Sequence, residues 1–248
     1  MPYDDSKVLR RDVLKGTAVA AAGAVVAAST LPNKAGAAVA ANSVQYAMVI
    51  DTRKCNGCHA CSVACKTEFS VPLGETRSWV EVIEKGTFPN VARNFLPRLC
   101  NHCSEPDCVK VCPTGATYKR EEDGIVTIDR DICIGCKYCV QACPYDARFI
   151  NPYTGTAEKC DFCLHRVKEG VVPSCVNTCQ GRARIFGDMN DPESDVAKLL
   201  ATEAVTTLRT EIGTKPNVYY IGADHTDPKT DPDQYVRIET NRRQQERL

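Results

Sequence analysis

Short apolar runs and local alternation organise this chain; long amphipathic stretches do not. Ala47-Met48-Val49-Ile50 is a continuous apolar run of strand length. Trp79-Val80-Glu81-Val82, inside the segment 67–94, predicts one arm of a strand pair that turns at Pro89-Asn90. Three more strands begin at a fixed offset: Ala116-Thr117-Tyr118, Ala147-Arg148-Phe149 and Ala183-Arg184-Ile185 each start four residues after a cysteine. The first continues as TYKREEDGIVTI, which turns at Asp123-Gly124, and the second as RFINPYTGTAEK, which turns between Pro152 and Gly155. Both therefore read as β-hairpins. Asp191-Pro192-Glu193-Ser194 predicts the cap of a helix running through Leu199 to Leu208. Val218-Tyr219-Tyr220-Ile221 predicts a strand, and the polar tail beyond Gly222 reads as irregular.

One apolar run lies outside this scheme. Residues 16–31 are Ala-rich and weakly hydrophobic, follow Arg10-Arg11-Asp12-Val13-Leu14-Lys15, and lead into Ala35-Gly36-Ala37 and Ala38-Val39-Ala40. This pattern predicts a twin-arginine export signal over residues 1–40, cleaved near 37–41. The run is short and weakly apolar for a permanent anchor, and no later segment reaches the length of a membrane span. The mature chain is expected to meet a membrane only through a partner.

Composition adds a second constraint. Of 248 residues, 6% are aromatic, with Trp79 the single tryptophan, while sixteen are cysteine. A core so poor in aromatic rings needs other filling. The formal net charge is zero, and the first forty residues carry five basic and three acidic groups, so the remainder is slightly acidic. Ligated thiolates would make it more so. No basic stripe marks a nucleic-acid surface.

An exported chain normally uses cysteines as disulfides, yet these spacings suit another role. All sixteen fall into four groups: Cys55, Cys58, Cys61 and Cys65; Cys100, Cys103, Cys108 and Cys112; Cys133, Cys136, Cys139 and Cys143; Cys160, Cys163, Cys175 and Cys179. CIGCKYCVQACP, Cys133 to Pro144, has the bacterial ferredoxin spacing, in which three close cysteines hold one cubane and the fourth crosses to its mate. The second and fourth groups keep this frame with one interval lengthened. Four tetrahedral zinc sites are the alternative, but zinc ribbons use two separated Cys-x-x-Cys knuckles and need neither the third cysteine nor the Cys-Pro ending. The expected cofactors are thus four 4Fe-4S clusters. Clusters are inserted inside the cell, so the chain must fold before export, which agrees with a twin-arginine signal.

Groups two and three end in Cys112-Pro113 and Cys143-Pro144, groups one and four in Cys65-Lys66 and Cys179-Gln180. That pairing predicts a nested α+β fold, two bacterial-ferredoxin-like domains of short helices and β-hairpins with a C-terminal extension. Residues 41–97 and 156–190 would be the halves of the first domain, 98–155 the inserted second domain, and 191–248 a helix, strand and tail. The expected ligand sets are Cys55, Cys58, Cys61 with Cys179; Cys160, Cys163, Cys175 with Cys65; Cys100, Cys103, Cys108 with Cys143; and Cys133, Cys136, Cys139 with Cys112. His59, His102 and His165 adjoin the groups and are surplus as ligands, though available as hydrogen-bond donors; Lys54, Lys66, Lys137, Lys159 and Arg166 could offset cluster charge or simply be solvated. No phosphate loop, nucleotide fingerprint or nucleophile-base pair is present, so no catalytic residue is assigned.

Four such groups in this order resemble the iron-sulfur subunits of molybdopterin oxidoreductases of the dimethyl sulfoxide reductase superfamily, over residues 44–222. CVQACPYDARFINPYTGTAEKCDFCLHR and ARIFGDMNDPES are similar to the subset serving polysulfide, thiosulfate and tetrathionate reductases. LPRLCNHC, the missing proline after Cys179 and GTKPNVYYIG are most similar to tetrathionate reductase iron-sulfur subunits. Nitrate reductase counterparts replace one ligand of the third group with tryptophan, whereas Cys136 is present here, and formate dehydrogenase counterparts end in a membrane helix not read in this sequence. The resemblance implies a non-catalytic electron-transfer subunit on the periplasmic face of the cytoplasmic membrane, active in anaerobic respiration. Its partners would be an integral membrane quinol-oxidising anchor and a molybdopterin catalytic subunit that reduces tetrathionate, polysulfide or thiosulfate. An iron-sulfur subunit for arsenate or formate-dependent nitrite reduction, or a free polyferredoxin shuttle, is the alternative.

Overall fold

The run Ala47 to Ile50 is apolar at every position because both of its faces are covered. In the computed structural model, which describes residues 44–223 and 236–239, β1 (Tyr46–Asp51) lies inside a four-stranded sheet. Met48 and Ile50 point into the main core, while Ala47 and Val49 join Val196 and Ile221 in a smaller cluster. Alternate side chains of one strand thus feed two apolar layers.

Along the chain follow α1 (Ala60–Glu68), β2 (Ser78–Thr87), β3 (Asn90–Leu99), α2 (Asp107–Lys110), β4 (Thr117–Lys119) and β5 (Val126–Ile128). Next come α3 (Tyr138–Gln141), β6 (Arg148–Ile150), β7 (Ala157–Lys159), α4 (Leu164–Lys168) and α5 (Ser174–Asn177). The last elements are β8 (Arg184–Asp188), α6 (Asp195–Thr202), β9 (Val205–Thr206), β10 (Val218–Ile221) and β11 (Val236–Glu239). The four-stranded sheet runs β8-β1-β10-β9, with β1 antiparallel to β8 and parallel to β10. A second sheet runs β11-β2-β3, and β4–β5 and β6–β7 form the two small hairpins expected from the repeat.

The strand pair is longer than the sequence suggested. β2 and β3 stay in register from Ser78 opposite Leu99 to Thr87 opposite Asn90, turning at Phe88-Pro89. Its inner end buries Trp79, Val80, Ile83, Leu96 and Leu99 in the main core. The strands after groups two, three and four begin at Thr117, Arg148 and Arg184, one residue beyond the expected alanine, whereas the last two cysteines of group one lie within α1.

Two expectations are corrected. The helix capped by Ser194, whose side chain accepts from the Val196 N–H, ends at Thr202 and does not reach Leu208. Val205 and Thr206 are β-branched, and they pair with Ile221 and Tyr220 as an edge strand. The tail is also not wholly irregular. Val236–Glu239 adds an antiparallel strand to β2, with Val236 opposite Lys85 and Glu239 opposite Val82, satisfying backbone groups on the edge that β3 leaves open.

Sulfur takes the place of missing aromatic bulk. Cys61, Cys100, Cys160 and Cys175 are buried in the same core as Trp79, Phe162 and Tyr220. The described residues belong to one compact unit, 42–248. Among them no helix is long and apolar enough to cross a membrane. The expected export signal lies outside the described residues.

Candidate metal centres

Each cysteine group begins with a tight loop that needs left-handed backbone. In groups one and three the matching positions Gly57 and Gly135, then His59 and Lys137, have positive φ; in groups two and four His102 and Phe162 do. Such a residue turns successive N–H groups inward toward an anionic centre. Phe162 N–H accordingly donates to Cys160 Sγ at 3.4 Å. Asn56 and Asp161 brace the loops by accepting from the N–H groups of Cys58 and Cys163.

The fixed four-residue offset has a related cause. After the final cysteine, the chain turns and enters its strand with an N–H aimed back at that sulfur: Ala183 to Cys179 at 3.3 Å and Thr117 to Cys112 at 3.4 Å. The backbone of Ala147 does the same for Cys143. Across the inner hairpin, Ala157 N–H donates to Cys133 Sγ at 3.4 Å. Hydrogen bonds to sulfur stabilise thiolate, the ligating form.

These loops bring distant cysteines together. Cys55, Cys58, Cys61 and Cys179 line one cavity of about 350 Å3, its mouth included. Cys100, Cys103, Cys108 and Cys143 line another of the same size. Cys65, Cys160, Cys163 and Cys175 form a third, deeper neighbourhood, all four buried. Burial pushes their thiols up; Cys65, Cys160 and Cys163 each also feel Cys175, while Cys175 feels Cys61 of the neighbouring set. Cys112, Cys133, Cys136 and Cys139 frame the inner hairpins; burial pushes the Cys112 thiol up, but hydrogen bonds from Thr117 and Thr114 outweigh it and lower the pKa.

All sixteen cysteines are free, so the disulfide reading fails. Among the described residues no three His, Cys, Asp or Glu side chains converge closely enough for one metal ion. A tetrahedral zinc site would require sulfurs about 2.3 Å from one ion. In two of the sets the thiols stand around a void, which fits a multi-iron cluster, and the four ferredoxin-spaced groups of sixteen cysteines indicate four 4Fe-4S clusters.

The histidines and cations near the groups are mostly occupied in holding the fold. His102 is fully buried, accepts at Nδ1 from Val126 N–H, and therefore carries its proton on Nε2. Burial, with Lys159 and Arg148 nearby, lowers its pKa well below the usual histidine range. Its ring stacks on Phe162 at 3.7 Å, joining the loops of groups two and four. His165 bonds Glu68 at 2.7 Å, and Arg166 bonds the same carboxylate. Lys66 donates to the carbonyls of Pro72 and Glu75, Lys159 to those of Val126 and Cys160, and Lys54 pairs with Asp51.

Two charged residues at the sulfur sites are not evident from the cysteine spacing. Arg148 and Arg184 are both buried, and each lines one of the two cavities. Their signal is the repeated Ala-Arg step after Cys143 and Cys179, which by its periodicity predicts only the start of a strand.

The 4Fe-4S dicluster domain family matches residues 91–189, spanning groups two to four. The chain is 50% identical to the B component of tetrathionate reductase from Salmonella typhimurium, over 73% of each chain. It is 46% identical to the B component of selenate reductase from Mesobacillus selenatarsenatis, again over 73% of each. With the B component of sulfite dehydrogenase from Allochromatium vinosum it shares 40% identity, over 79% of this chain and 90% of that one. Cysteine cages, hairpin repeat and relatives converge: the chain belongs to the 4Fe-4S dicluster iron-sulfur subunits of complexes of the dimethyl sulfoxide reductase family.

Proposed function

We propose that this chain carries electrons between a quinol-oxidising membrane subunit and a molybdopterin catalytic subunit that reduces tetrathionate or a related sulfur compound. The observation that carries the electron-transfer role is the distribution of the sulfurs. Cys58 and Cys136 reach the surface from two different expected ligand sets, while Cys65, Cys160, Cys163 and Cys175 are buried together. Bound clusters supply one-electron storage and transfer. The chain's residues hold them, exclude water from the buried set and leave the surface ends accessible to partners.

The cavity linings support the crossed ligand sets, since Cys179 stands with group one and Cys143 with group two. The same crossing assigns Cys65 to Cys160, Cys163 and Cys175, and Cys112 to Cys133, Cys136 and Cys139. The sulfur substrate rests on the relative at 50% identity together with the LPRLCNHC and ARIFGDMNDP segments. Delivery to the periplasmic face rests on Arg10-Arg11 and the apolar run after it.

The test is reconstitution of the complex from this chain and its co-purifying subunits. This chain alone should turn over no sulfur substrate. The assembled complex should reduce tetrathionate with a reduced dye, and quinol-driven turnover should require this chain's clusters. Activity confined to selenate, arsenate or nitrite would remove the substrate assignment, and purification without a molybdenum subunit would favour a free shuttle.

A further inference from the structure

The internal repeat places an arginine at the same step of two strands, Ala147-Arg148 entering β6 and Ala183-Arg184 entering β8. At the start of β4 the equivalent residue is Thr117. An Arg there is unexpected on energetic grounds, because each side chain is nearly inaccessible, at 2% and 3% exposure, and burying a guanidinium is costly unless anionic groups surround it.

Sulfur surrounds both. Arg184 lines the cavity of Cys55, Cys58, Cys61 and Cys179, yet its Nη1 reaches Cys175 Sγ, of the neighbouring set, at 3.9 Å. Nη2 donates to Ser78 Oγ at 2.9 Å, which fixes the head between them. Arg148 lines the cavity of Cys100, Cys103, Cys108 and Cys143 and donates to Cys108 Sγ at 3.0 Å. Its other nitrogen donates to Thr117 Oγ1 at 3.2 Å, and Thr117 N–H in turn holds Cys112 Sγ, of the mate set. Thr117 is Arg148's own counterpart in the repeat, so the inner half places the two equivalent positions in contact across its middle.

Electrostatics agree with the contacts. Burial opposes the charge of Arg184, but the thiolates of Cys61 and Cys175, Tyr220 and Cys160 outweigh it. For Arg148 burial is likewise outweighed, by Cys108, Cys100, Cys139 and Cys143, which come from both inner sets.

We propose that Arg148 and Arg184 are paired tuning cations, one in each ferredoxin-like half, fixed between two cysteine quartets so that they raise the reduction potentials of the clusters on both sides. The proposal rests on the crossed ligand sets given above. Reduction adds one negative charge to a centre, and a fixed cation in a low-dielectric interior favours the more negative form. Because each arginine serves two centres, it acts on a pair and also offsets the repulsion between its members. Hydrogen bonds to sulfur act in the same direction, so charge and donor must be separated experimentally.

Arg148→Gln and Arg184→Gln keep a donor without charge, while Arg148→Lys and Arg184→Lys keep the charge on a different head. Whole protein should be purified anaerobically, its iron measured, and its clusters titrated by electron paramagnetic resonance. Each Gln variant should make its own pair at least tenfold harder to reduce, about 59 mV for one electron, and leave the other pair unmoved. Each Lys variant should stay closer to the unsubstituted protein. Full iron with unmoved potentials overturns the proposal, as does an equal shift of all four clusters or a Lys variant shifted as far as Gln. Should a Gln variant lose iron, the Lys variant decides: retained iron and potentials uphold the charge role, and loss there too overturns it. The ligand reading fails separately, if Cys55→Ala and Cys179→Ala remove different signals.

Discussion

A thiol that is buried before its metal arrives holds its proton. Burial raises Cys65, Cys160, Cys163 and Cys175, with Cys163 pushed up to about 12 from an ordinary value near 9. Ligation needs thiolate, so filling this proposed ligand set would release protons, and acid would oppose it. The sign for the metal-free fold follows from the same shifts. The protonated thiols favour it fully below pH 9, and that contribution is lost as pH rises toward 12. Chelator-stripped protein should therefore take up iron and sulfide progressively better from about pH 7 to 9, with the apparent constant rising about tenfold per pH unit for each proton displaced. Iron content after reconstitution at several pH values checks this, and a flat profile would contradict it. The four groups of cysteines were legible in the sequence because spacing alone sets them apart. Arg148 and Arg184 were not, because an Ala-Arg step acquires meaning only when the strand buries it against sulfur.

At the scale of elements, the ferredoxin-like loops lock onto hairpins distant in sequence. Gly135, inside group three, has φ +67°, and a Cβ there would stand 2.2 Å from the Gly155 carbonyl oxygen in the turn of the β6–β7 hairpin. Gly155 has a similar φ of +70° but open space around it. Gly135→Ala should therefore cost more than Gly155→Ala. Backbone strain amounts to roughly 1–3 kcal/mol in both, while only Gly135→Ala also forces the cysteine loop and the turn apart. The expected readout is loss of one cluster's worth of iron in Gly135→Ala and full iron in Gly155→Ala. Equal iron in the two would show that this contact does not hold the loop. Both hairpins were legible from Asp123-Gly124 and the Pro152–Gly155 turn, since their chemistry is local. The early end of α6 was not: Val205 and Thr206 leave the helical pattern because β10 offers them a partner.

At the scale of the molecule, a buried ion pair ties segments far apart in the chain. Arg77 Nη2 donates to Glu158 Oε2 at 2.9 Å, both side chains 2% exposed, and the Arg77 head lies 4.0 Å above the Phe69 ring just beyond α1. The second Glu158 oxygen accepts from Asn151 Nδ2 and stands 3.2 Å from Arg130. Removing Glu158 leaves buried Arg77 with only Asp161, 3.9 Å away and partly exposed, a loss that approaches the roughly 3–5 kcal/mol of a broken buried pair. Glu158→Leu should lower the denaturation midpoint of the iron-loaded protein accordingly, and Arg77→Met with Glu158→Leu together should recover much of it. A double variant no more stable than the single one would show that the pair itself, with its hydrogen bonds, stabilises the fold.

What the sequence determined was local and periodic: strand-length apolar runs, turn residues, and cysteines at intervals that a backbone can fold around a cluster. These needed no knowledge of distant partners, because each is set by a few consecutive residues. Tertiary structure decided what depends on who arrives from elsewhere. It placed Cys179 beside group one, ended α6 at Thr202, added β11 to the open edge of β2, and put two arginines among the sulfurs. The physical reason is that an edge strand and a buried cation take their free energy from groups remote in sequence, and spacing along one segment carries no record of them.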